Sequence, residues 1–175
     1  NLTVWRLFTS SLDLEDQIEA TRWCDEGQHR FPEDPRFVQC RLSLFGLKGV
    51  KPDVPEAWHL LSQYVALTPP NLREFRLKRG QMLVAIALVR AGLPDSARAV
   101  ALRARADATL DPTREITFFE AILRTMLGEK DEALRLLSGY LASNPQQRAV
   151  MARDESWQFR DLRTDLRWKQ VVGGP

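Results

Sequence analysis

Apolar residues along the chain recur three and four positions apart, in segments of about 12 to 20 residues, and glycine or proline interrupts the pattern between segments. The breaks fall at Phe31-Pro32, Gly49-Val50-Lys51-Pro52, Pro69-Pro70, Gly92-Leu93-Pro94, Asp111-Pro112, Gly128 and Pro145. This rhythm predicts helices paired through short turns. The clearest runs from Leu134 to Ala142: Lys130-Asp131-Glu132 supply an acidic first turn, Pro145 stops propagation, and Ala133, Leu134, Leu137, Tyr140 and Leu141 share one stripe. Pro94-Asp95-Ser96 opens a helix through Asp107, with Gly92 closing the one before it, which is predicted from Leu72 to Ala91. Asp111-Pro112-Thr113 resets the chain for a helix from Arg114 to Leu127. Strand signals are weak, since no two-residue alternation persists and neither Asn-Gly nor Asp-Gly occurs.

One feature repeats. An alanine stands twelve positions ahead of a proline at Ala20 and Pro32, Ala57 and Pro69, and Ala133 and Pro145, while Ala97 has its proline three residues late at Pro112. These alanines are 37, 40 and 36 residues apart. Gly92 and Gly128 lie five residues before Ala97 and Ala133, and Ala85 and Ala121 lie seven residues before those glycines. Small residues at such positions let two helices approach to about 8–10 Å.

The pattern resembles the tetratricopeptide-repeat family, whose period is about 34 residues. The fit is best in residues 72–145 and loosest in the first two units, where Glu15 takes the glycine position and Pro52 lies in a long turn. The resemblance implies an all-α fold of antiparallel helix hairpins stacked as a solenoid. Its units would be residues 1–34, 35–70, 71–112 and 113–145, with residues 146–175 as a capping segment and tail. That last stretch, with Trp157, Phe159, Leu162, Arg163, Asp165 and Trp168, looks like the closing tails of repeat regions in many bacterial signalling proteins. An open-ended stack needs such a cover for its last apolar face.

Composition narrows the picture only modestly. Hydrophobic residues at 44% and charged residues at 27% fit a folded chain with a real core. The formal charge of +2 gives no global nucleic-acid footprint, although 20 of the 25 basic residues are arginine. The densest basic cluster, Arg73, Arg76, Lys78 and Arg79, reads as a solvated helix face beside Glu74 before it reads as a phosphate contact. The longest apolar run, Met82 to Val89, is eight residues and far too short to cross a membrane, so no membrane partner is expected. Cys24 and Cys40 are expected as buried free thiols in preference to a bridge. The compartment is left open, with a cytoplasmic one favoured.

Chemistry-bearing motifs are sparse. His29 and His59 are isolated, carboxylate pairs such as Asp131-Glu132 sit in polar first turns, and no phosphate loop or nucleophile elbow occurs. No enzyme activity, cofactor or metal is therefore expected.

If the repeat alignment holds, the first helices of the third and fourth units make an inner face from Met82, Ile86, Val89, Phe118, Ile122 and Thr125, rimmed by Arg79, Arg90 and Glu115. The expected partner is a protein or peptide whose helix or extended segment enters this apolar groove. The family's carboxylate clamp is not carried over, because Asn1, Asn71 and Asn144 lie in ends or turns. Beside the open groove stands a second arrangement, in which the same residues are core or are covered by the chain's own segment after Pro145. The functional expectation is an interaction or regulatory scaffold belonging to a larger bacterial signalling protein. The alternatives are a structural or self-assembling repeat with its groove filled, and a helical enzyme.

Overall fold

Helix after helix begins where a short acidic side chain or a proline suits the first turn. A computed structural model describes residues 1–153 and 155–173, and among these the regular structure is entirely helical. The helices are α1 (Leu2–Asp13), α2 (Gln17–Arg30), α3 (Pro35–Leu44), α4 (Val54–Ala66), α5 (Arg73–Arg90), α6 (Pro94–Ala104), α7 (Glu115–Met126), α8 (Lys130–Ser143), α9 (Gln147–Arg153) and α10 (Trp168–Gly173). Short 3₁₀ turns occur at Pro70–Leu72 and Trp157–Phe159. Asp16, Asp34 and Asp53 cap α2, α3 and α4 by accepting the amides of Glu19, Arg36 and Glu56. The α7 start is unusual: Arg114 is left-handed, and buried Asp111 accepts the amides of Glu115 and Ile116 at 2.8 and 2.9 Å. α6 ends at Ala104, short of the expected Asp107, because Arg105 turns extended.

Consecutive helices pack as pairs, α1 with α2, α3 with α4, α5 with α6 and α7 with α8. The odd-numbered members also touch in series, α1 with α3, α3 with α5 and α5 with α7. Ala20, Ala57, Ala85, Ala97, Ala121 and Ala133 are all fully buried, as the packing argument requires. Gly92 and Gly128 adopt φ of +76° and +74°, and each closes its helix with the following residue's amide returning to the carbonyl five positions back, Leu93 to Leu88 and Glu129 to Arg124. Glu15 takes the same left-handed conformation at φ 56°, and the Asp16 amide returns to Ser11 in the same way. The first turn thus keeps the glycine geometry without the glycine.

Two apolar clusters form. The larger runs from Val38 and Leu42 through α4 to α8 and on to Phe159, Leu162, Trp168 and Val172 in the tail. The smaller holds the first hairpin to α3 through Val4, Phe8, Ala20, Phe37, Leu44 and Leu47. Here one expectation is corrected. Cys24 and Cys40 are not free thiols but a disulfide, because α2 and α3 bring their Cα atoms to 5.7 Å, a separation typical of such a bond.

Candidate functional site

The face expected to receive a partner is built by α5 and α7, and the structure places its residues largely inside. Met82, Ile86, Ile122 and Thr125 are buried, while Val89 and Phe118 are half-buried. The Thr125 hydroxyl donates to the Ala121 carbonyl at 2.8 Å and has no spare donor. Arg79, expected at a rim, is buried. Its guanidinium donates to Glu115, Gln39 and the Tyr64 hydroxyl and lies 4.9 Å from the Phe119 ring centre. Arg79 and Glu115 therefore tie α5 to α7, and through Gln39 to α3. Arg90 donates to the carbonyls of Leu47 and Lys48, closing the long turn after α3. All nine residues belong to one region, but most of their polar atoms are committed to the fold.

The chain's own C-terminal segment packs against α7 beside these residues. Phe159 is buried with its ring 5.5 Å from Phe118 and 5.9 Å from Trp168, and Phe118 also meets Tyr140 at 4.8 Å. Leu162 is fully buried in the same cluster. Trp157 departs from the expected capping role: it packs on the smaller cluster, and its indole N–H donates to the Leu12 carbonyl at 2.9 Å. Gln158 donates to Asp13 at 2.9 Å, and Arg160 pairs with Glu15. Farther on, Arg167 pairs with Asp131 at 2.7 Å and α10 packs on α8. The segment thus spans from the last hairpin to the first. The burial of Met82, Ile86, Ile122 and Thr125, and the contact of Phe159 with Phe118, are what the second arrangement stated above expects. What remains open beside the segment is a cleft of about 290 Å³, lined by Glu15, Lys48, Arg90, Met126, Trp157 and Arg160 among others.

A second polar constellation was not anticipated. Glu120 lies in the middle of the apolar α7 stripe at 1% exposure. It accepts from Arg105 at 2.7 and 2.8 Å and from Arg124 at 2.9 and 3.2 Å. Arg124 also reaches Glu129 at 2.6 Å, Arg98 reaches Glu129 at 2.6 Å, and Arg105 reaches Glu132 at 3.0 Å. Burial pushes the Glu129 carboxyl up, but hydrogen bonds from Arg124 and Arg98 outweigh it and hold it below the usual range. The hydrogen bond from Arg135 holds Glu132 low as well. The only sequence signal was a charge interrupting an apolar face, Glu120 with Arg124 one turn later.

The basic cluster on α5 is likewise engaged in the fold. Arg73 donates to the Thr68 carbonyl, Arg76 to the Tyr64 hydroxyl and Lys78 to the Arg103 carbonyl. His59 meets Gln63 on an exposed face, and His29 is exposed. Among the described residues no cluster of three or more metal-ligating side chains forms, and no helix is long and apolar enough to cross a membrane. Comparison with protein-family models, curated proteins and solved structures gave no match.

Proposed function

We propose that the chain is an interaction scaffold of the tetratricopeptide-like type, with helix hairpins stacked so that their first helices form a receiving face. Its ligand is an extended, aromatic-anchored segment, and in the isolated chain that ligand is its own residues 157–162. The observation that carries this reading is the seating of Phe159 against Phe118 of α7, with Leu162 buried in the same cluster, while Trp157, Gln158 and Arg160 bind the end of α1 and the turn after it. Buried aromatic anchors framed by rim hydrogen bonds are the usual anatomy of a peptide-binding groove. The alanine and left-handed turn geometry at matching points of the hairpins supports the repeat assignment. The buried arginines and carboxylates serve cohesion between helices, which favours a binding role over catalysis.

The test uses the full chain carrying Phe159→Asp with Leu162→Asp, and Arg160→Glu as a gentler variant. A labelled peptide covering residues 155–168 should bind the released face in trans, seen as raised fluorescence anisotropy, and should not bind the wild-type chain. A variant that keeps its helical circular dichroism yet binds no peptide overturns the reading.

A further inference from the structure

The first hairpin is joined to the rest of the molecule through an apolar cluster separate from the main one. It is also the part that holds the far end of the C-terminal segment, through Leu12, Asp13 and Glu15. The Cys24–Cys40 bond crosses the contact that joins this hairpin to the rest, from α2 to α3. Both cysteines are fully buried. At Gly27, one turn beyond Cys24, any side chain would collide with the Phe37 ring, so the close approach of the two helices is built into the sequence.

We propose that Cys24–Cys40 is a permanent staple, installed by thiol–disulfide exchange in an oxidising compartment, and that it keeps the first hairpin in place as anchor for the segment. One thiolate attacks the disulfide of an oxidant, a disulfide oxidoreductase or oxidised glutathione. This gives a mixed disulfide and releases the first oxidant thiol. The second cysteine thiolate then displaces the remaining oxidant sulfur, so two electrons and the two thiol protons leave with the reduced oxidant. Exchange precedes closure of the α2–α3 contact, because afterwards neither sulfur meets solvent. The same burial shields the finished bond from reductants, which separates a staple from the exposed, labile disulfides used in regulation. Persistent disulfides belong to oxidising compartments, contrary to the free thiols expected from the sequence.

The full chain refolded in a glutathione redox buffer, denatured without reductant and treated with iodoacetamide, should show no alkylation by mass spectrometry. Two adducts overturn the bond. The folded oxidised protein should resist millimolar dithiothreitol that reduces the denatured form readily, and equally fast reduction of both overturns its permanence. Loss of the bond, by refolding reduced or in Cys24→Ala with Cys40→Ala, should lower the Tm by roughly 6–12 °C, from the loop closed by the bond and the size of the chain. An unchanged Tm in both overturns the stapling role. Chain made in a reducing cytosol should carry two thiols, and chain exported to an oxidising compartment none. A complete bond in both preparations overturns the compartment assignment.

Discussion

Replacing Glu120 by glutamine keeps the shape of the side chain and removes the charge shared by Arg105, at the end of α6, and Arg124 of α7. In the wild type this carboxylate accepts four hydrogen bonds, from Arg105 and Arg124, at 1% exposure. Removing one partner of a buried pair costs about 3–5 kcal/mol when the other is left alone. Here neither arginine is left alone, because Arg124 keeps Glu129 and Arg105 keeps Glu132. The cost should therefore fall near the lower end, about 3 kcal/mol. For a chain of this size that corresponds to a Tm lower by roughly 6–12 °C. Thermal and urea unfolding at neutral pH measure it. Glu120→Gln combined with Arg105→Gln should cost less than the sum of the single changes, since the two groups share one interaction. A single variant melting with the wild type would refute the claim that this network holds the third and fourth hairpins together.

Ala133→Arg places a charged, bulky side chain where α8 meets α7 at zero exposure, so it should cost about 3 kcal/mol or more and loosen the fourth hairpin; calorimetry showing an unshifted Tm would contradict the packing. Glu15→Gly relieves a left-handed non-glycine worth about 1 kcal/mol but removes the partner of Arg160, so the Tm should move little while protease cleavage near residues 157–160 accelerates. Glu129 and Glu132 have carboxyl pKa values lowered on folding, so the stability they contribute is complete above the unfolded value of about 4.3 and is lost as pH falls through the lowered folded values. The Tm should hold from neutral pH to about 5 and drop below about 4, and Glu129→Gln should flatten that drop; an equally steep fall in the variant would refute the assignment.

Much of the helical order was readable because its causes are local. Proline, glycine and acidic first-turn residues act within a turn of their own position, which is why α5, α7 and α8 lie close to where the periodicity puts them. The buried alanines were readable for a similar reason, since a small residue at a recurring position has few other uses. Glu15 hid the first turn, because the left-handed conformation is a property of the backbone and a carboxylate does not advertise it. Asp111 looked like a turn residue, yet it caps a helix that starts four residues later. The Arg105–Glu120 pair and the Cys24–Cys40 bond join separate elements, and no spacing along the chain encodes that approach, whereas Glu120 with Arg124 follows from one helical turn. The tail's aromatics were legible as cover for an apolar face. Which face each one covers depended on the path of the chain, which sends Trp157 to the first hairpin and Phe159 to the fourth.

The claim on which the functional reading turns is that residues 157–162 lie on the chain's own receiving face. Nuclear Overhauser effects in the isotope-labelled full chain test it directly. Cross-peaks from the Phe159 ring to Phe118 and Trp168, and from the Trp157 indole proton to α1 near Leu12, are the predicted result. A well-folded spectrum in which Phe159 contacts neither ring and the Trp157 indole proton exchanges as freely as an exposed one would contradict the account.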